Sequence, residues 1–90
     1  FTADATAPSL EGGVEFQVGT NTTPTAIATL ADGVIGTVYT IHGNGSGANV
    51  STIAANNTAI LVTGLMTFNT GTYLQLVLRA DGKYQEVARG

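Results

Sequence analysis

The feature that most constrains this chain is a hydrophobic period of two, carried by runs too short for helices. In TYLQLVL, residues 72–78, Leu74, Leu76 and Leu78 share one face, and in VEFQV, residues 14–18, Val14, Phe16 and Val18 do the same. Side chains alternate across a strand, so each run presents one apolar face. TAIATL (25–30), VIGTVYTI (34–41), NVSTI (49–53), AILVT (59–63) and LMTF (65–68) lie between them, rich in β-branched residues and bounded by Gly, Asn or Asp. The strong helix formers Glu, Lys and Arg are scarce. The expected class is all-β, as a small antiparallel β-barrel or sandwich.

VIGTVYTI sharpens that expectation. Val34, Gly36, Val38 and Thr40 fall on one face and Ile35, Thr37, Tyr39 and Ile41 on the other, so neither face is built for water. A strand covered on both sides in a small domain implies a barrel with a partner outside it, or a sheet held between subunits.

Charge points the same way. The chain has three Lys and Arg, six Asp and Glu and a net charge of −3; charged residues are 10% of the total and hydrophobic ones 43%. An ordinary soluble domain carries about 25% charge. The content of Val, Ile, Leu, Phe and Tyr is too high for a disordered segment. Ninety residues bury only about two thirds of their unfolded surface, and without Cys neither disulfides nor thiolate metal sites add stability. Shielding by identical copies is the remaining route. So few cations exclude a phosphate-tracking nucleic-acid surface and an anionic-membrane surface. No apolar run approaches the roughly 20 residues of a membrane-spanning helix, and no signal-peptide pattern is present.

FTADATAP shows no sustained alternation, and SLEGG after it reads as a turn. Residues 1–24 are therefore expected to form an N-terminal arm and first strand for anchoring or subunit exchange, and residues 25–90 the β-domain. Phe1 reads as a processed or trimmed start. Ala31-Asp32-Gly33 and Ala80-Asp81-Gly82 read as two similar turns.

All three cations, Arg79, Lys83 and Arg89, lie in the closing stretch LRADGKYQEVARG, with Asp81 and Glu86 between them. Asp81-Gly82 suits a tight two-residue hairpin turn. Pairing Ala80 with Lys83 sets Leu78 opposite Gln85 and Val77 opposite Glu86, and makes Arg79 and Glu86 diagonal neighbours. A one-residue bulge in the turn reverses that arrangement. Arg79, Glu86 and Arg89 are thus candidate hairpin charges or subunit contacts, with Arg79 or Arg89 reaching Glu11, Glu15 or Asp32 of a neighbour.

Catalytic patterns are sparse. His42 is the only histidine, and no nucleophile-elbow motif surrounds Ser9, Ser46 or Ser51. One His and scattered carboxylates supply neither a zinc nor a calcium site. Gly43-Asn44-Gly45-Ser46-Gly47 lacks the Lys and the helix of a phosphate-binding loop, and reads as an exposed flexible loop. Glu11 and Glu15 sit in a turn and an alternating strand, where paired acids for glycoside cleavage have no supporting pattern. Tyr39, Tyr73 and Tyr84 are spread over three strands and there is no Trp, so a broad aromatic platform for sugars is missing. No catalytic, cofactor or metal residue is expected.

The ordered set IATLADGVIGTVYTI, STIA, NTAILVTG, GTYLQLVL and DGKYQEVARG, from about Ile27 to Arg89, resembles a β-structured domain of tailed-bacteriophage virion proteins. That domain recurs in head fibres, capsid decorations and the distal parts of tail fibres and spikes. Tyr84, Glu86, Val87 and Arg89 fill its closing hairpin pattern, whereas residues 1–24 match nothing in it. The resemblance implies a compact β-barrel or β-prism-like domain in an intertwined homotrimer on the virion surface, without enzyme activity, in contact with other virion proteins such as the capsid. Two alternatives stand beside it: the repeating subunit of an extracellular β-rich filament that exchanges its N-terminal arm, and a carbohydrate-binding adhesion module for a host-surface glycan.

Overall fold

The computed structural model describes residues 1–45 and 47–90 and is all-β, with one 3-10 turn at Gly47–Asn49. Eight strands follow in order: β1 (Glu15–Gln17), β2 (Thr25–Ala26), β3 (Val38–His42), β4 (Ser51–Ile53), β5 (Ile60–Leu61), β6 (Met66–Thr67), β7 (Tyr73–Leu78) and β8 (Tyr84–Arg89). One sheet has the order β1-β3-β7-β8-β5 and the other β2-β4-β6. Successive strands from β1 to β7 alternate between the two sheets.

That alternation corrects the antiparallel expectation. β1 pairs parallel with β3 (Phe16 opposite Ile41), β2 with β4 and β5 with β8, while β3–β7, β7–β8 and β4–β6 are antiparallel. Parallel neighbours need a crossover. Here the β1–β3 and β2–β4 crossovers each run through a strand of the opposite sheet. Both sheets are mixed and neither closes on itself, so the chain is not a barrel.

Both sheets feed one core. Tyr39, Ile41, Leu74, Leu76, Leu78 and Tyr84 come from the inner face of the larger sheet, and Ile53, Met66 and Phe68 from the smaller sheet and its margin. The Cα radius of gyration is 11.7 Å, close to the roughly 12 Å of a compact chain of this length. TYLQLVL behaves as its alternation dictates, with Leu74 and Leu76 fully buried and Gln75 and Val77 half-buried on the outer face.

VIGTVYTI departs from expectation. Its strand begins only at Val38, because Gly36 has φ +84° and the Thr37 amide donates to the Val34 carbonyl (3.1 Å). The left-handed glycine turns residues 34–37 back on themselves. Val34 and Ile35 sit at the turn's tip, more than 60% exposed, instead of on a strand covered from both sides.

The N-terminal stretch folds onto its own chain. The Ala28 amide donates to the Thr6 carbonyl (2.8 Å), Ala31 N to Pro8 O (2.9 Å) and Leu10 N to Ala31 O (2.8 Å). Leu10 enters the common core.

Candidate functional site

The carboxyl-terminal stretch carries two ion pairs, Arg79–Asp81 and Arg89–Glu86. Leu78 pairs with Tyr84 and Val77 with Gln85, one residue away from the register expected for a two-residue turn. The cause is a longer turn: Arg79 N donates to Lys83 O (2.8 Å), Gly82 N to Arg79 O (3.0 Å), and Gly82 takes φ +84°. A three-residue loop with glycine in the left-handed position replaces Asp-Gly at both central positions. Arg79 consequently reaches Asp81 (2.7 Å) and Gln85 (3.4 Å), and not Glu86.

Glu86 and Arg89 are brought together instead. The β7–β8 ladder slips between Gln75 and Leu76, so Leu76 faces Glu86, Gln75 faces Ala88, and Val87 is an extra residue. Arg89 grips Glu86 with two hydrogen bonds, Nε to Oε2 (2.9 Å) and Nη2 to Oε1 (2.7 Å), and donates to the carbonyls of Gly64 (2.9 Å) and Leu65 (3.1 Å). Glu86 also accepts from the Thr63 amide (3.1 Å) and hydroxyl (3.0 Å). The Glu86 side chain is only 6% exposed. Hydrogen bonding from Arg89 holds its carboxyl below the usual range against the opposing effect of burial, and Glu86 in turn raises Arg89. The pair clasps residues 63–65 onto β8, so Arg89 spends its guanidinium inside its own chain.

The glycine loop divides. Gly43 is buried: its amide donates to Thr72 O (2.8 Å), and a Cβ there would collide with the Asn69 carbonyl. Gly45 is half-buried, donating to Phe68 O (3.1 Å) and accepting from Thr70 N (2.9 Å). These glycines allow close backbone approach, and among the described residues of the expected loop Asn44 and Gly47 face outward. Ser46 lies outside the described residues.

His42 ends β3 on the outer face of the larger sheet, with Nε2 3.1 Å from Glu15 Oε1. Glu15 and Gln17 line the same shallow depression. A second depression of about 370 Å³ runs between the N-terminal stretch and β1, floored by the stacked rings of Phe1 and Phe16. Among the described residues no group of three or more His, Cys, Asp or Glu is placed to hold a metal ion, and no helix is long and apolar enough to cross a membrane.

Three polar brackets escaped sequence reasoning. Asp4, at φ +59°, accepts from Thr22 N (2.9 Å), Thr22 Oγ1 (2.6 Å) and Thr23 N (3.3 Å), which together lower its pKa. Asn21 joins Asp4 N to Asn49 O and Ser51 Oγ. Asn57 donates to Ile27 O and Ala28 O and accepts from Ala59 N and Ile60 N. Only their Asn and Asp identity beside turns signals such roles. Each joins segments of this chain, and none aims a reactive atom at a cleft.

Protein-family models, characterised proteins and solved structures were compared with the chain, and none matches.

Proposed function

We propose that the chain is a non-enzymatic structural module of a bacteriophage virion, a capsid-decoration, head-fibre or fibre-tip domain that works as a homotrimer. The observation that carries this reading is the character of its exposed surface. Val14, Val34, Ile35, Val38, Leu65 and Val87 are each 47–63% exposed in a chain with only three Lys and Arg. Arg89 is occupied within the fold, so Arg79 and Lys83 are the cations left to the exterior. Such a surface suits burial against identical copies. The order of motifs from Ile27 to Arg89 supports the virion setting, and Asn44 and Gly47 are positions that such a particle would present outward. Light scattering on a dilute solution tests the reading: three chains of 9.1 kDa give about 27 kDa, and a single well-behaved chain removes its physical basis.

One observation favours the filament alternative. The stretch ending at Leu10 docks by strand-like bonds to residues 28–31 and leaves through the exposed link Glu11–Val14, in which Gly12 has φ +84°. A link of that kind lets the same contacts form with a neighbour. A chain lacking residues 1–8 that stops polymerising, together with a full chain whose polymerisation is capped by a free peptide of residues 1–10, supports exchange.

A further inference from the structure

Residues 1–10 lie against residues 16–32 of the same chain, and they are held by specific groups at both ends. At one end Leu10 is buried in the core and Pro8 is buried too. Ser9 bridges Ala31 in parallel fashion, and its hydroxyl donates to Asp32 (2.6 Å). At the other end the Asp4 carboxylate is met by the amides of Thr22 and Thr23 and the Thr22 hydroxyl, with the hydroxyl of buried Thr25 at 3.5 Å. The Asp4 amide donates to Asn21 Oδ1 (2.8 Å), while the Asn21 amino group is tied to Asn49 O and Ser51 Oγ. That second tie fixes Asn21 in place to receive the segment.

Between these ends the groove asks for a close backbone and not for large side chains. A Cβ on Gly19 would strike the Thr2 carbonyl, so the segment's backbone lies directly on Gly19. Gly19 has no left-handed φ, and its missing side chain serves this approach alone. Glu11–Val14, exposed throughout and turning at Gly12, is all that joins the segment to β1. Folded back, that link returns residues 1–10 to their own chain; drawn out, its four residues reach about 13 Å. None of the contacts in the groove requires the link to be the chain's own.

We infer that residues 16–32 form a recognition groove for an extended segment, that Asp4 and Leu10 are the determinants it reads, and that residues 1–10 of a second copy are its partner ligand. The inference rests on the exchange reading above and adds where the segment is read and by which groups. Asp4 sets the register: a shift of one residue puts Ala3 or Ala5 before the Thr22 and Thr23 amides and leaves those donors without an acceptor. Leu10 is the apolar anchor. The backbone bonds to residues 28–31 add affinity without choosing a sequence. Because the contacts are the same within a chain and between chains, a second copy needs concentration and no further surface. Passed one way from chain to chain, the segment builds a ring where the rotation closes and a filament where it does not.

The chain has no Cys, so introduced thiols can mark the occupant of the groove. Ser9 and Ala31 are bridge partners, and the spacing of neighbouring strands, about 4.8 Å, is one that a disulfide spans. A dilute full chain with both Ser9→Cys and Ala31→Cys, mildly oxidised, is expected to close a bridge within itself; its absence overturns the groove. Full chains with Ser9→Cys alone and Ala31→Cys alone are then mixed, concentrated and oxidised, and peptide mapping is expected to find positions 9 and 31 joined between chains. No such bridge at any concentration, or an equal yield from Ser9→Cys with Ala80→Cys at the exposed β7–β8 turn, overturns occupation by a second copy and the exchange reading with it. Asp4→Lys added to the Ser9→Cys chain is expected to lower the yield about fivefold or more, because the wild-type segment of the Ala31→Cys chain then keeps the groove. Asp4→Asn, expected to lower it less, is the second reading should circular dichroism show that Asp4→Lys unfolds the chain. A yield unchanged by loss of the Asp4 carboxylate overturns its role as a determinant and leaves the exchange reading standing.

Discussion

Glu86 and Arg89 are three residues apart on one strand and still share a face, because Val87 is an extra residue in the β7–β8 ladder. In a regular strand an odd separation sends side chains to opposite faces. The bulge cancels one step and creates a two-point ion pair that fastens residues 63–65.

Removing Arg89 therefore affects more than a surface charge. Arg89→Ala strips four hydrogen bonds and leaves the Glu86 carboxylate 94% covered without its cation. The expected cost is about 1–3 kcal/mol, moderated because the Arg89 side chain is itself 31% exposed. Arg79→Ala loses a pair exposed at both ends and costs at most about 1 kcal/mol. Urea denaturation of the two variants checks the order.

Acid should weaken the fold through the same carboxylate. The Glu86 pKa is lowered in the folded state, first by its hydrogen bonds from Arg89, so the unfolded state binds more protons as the pH falls. Its contribution is complete above its unfolded value near 4.5 and is lost as the pH falls from there through the folded value. Asp4 acts in the same direction through Thr22. Thermal melts across the acidic range should show Tm falling below about pH 4.5, and Glu86→Gln should start lower at neutral pH and fall less steeply.

Much of the fold was legible where a strand is long and one-sided. Leu74, Leu76 and Leu78 announce β7 because burial and period coincide. The pairing partners were not legible, since alternation says which face a residue takes and nothing about which strand lies beside it. That is why β1 beside β3 in parallel came only from the structure. Turn chemistry was readable in kind and not in detail. Ala31-Asp32-Gly33 and Ala80-Asp81-Gly82 look alike, but in the first Asp32 holds φ +62° and Gly33 makes room for the Tyr84 hydroxyl, whereas in the second Gly82 itself takes φ +84°. Glu86 and Arg89 were singled out as charges. Their union depends on a bulge that no residue type around Val87 signals.

Asn57 makes a prediction of its own. Its amide group ties Ile27 O and Ala28 O, next to β2 in the smaller sheet, to Ala59 N and Ile60 N at the start of β5 in the larger one. Asn57→Ala leaves four backbone groups to water or to nothing, an expected loss of about 2 kcal/mol. Amide hydrogen exchange should locate it, with Ala59 and Ile60 losing protection before Leu74 and Leu76.

Two glycines separate close approach from backbone conformation. At Gly36 the φ of +84° strains an L-residue, but a Cβ would meet nothing within 4 Å, so Gly36→Ala should cost about 1 kcal/mol. At Gly43 the backbone has no such φ, yet a Cβ would strike the Asn69 carbonyl and the Thr72 hydroxyl. Backbone cannot swing aside like the end of a long side chain, so β3 and the turn at 69–72 must separate, at about 1–3 kcal/mol or more. Denaturant midpoints should rank Gly43→Ala below Gly36→Ala. Amide exchange should spread from Gly43 to Thr72 and Tyr73 in the first variant and stay near residues 34–37 in the second; the reverse order would mean that the loop entered by Gly43 is not packed against residues 68–72.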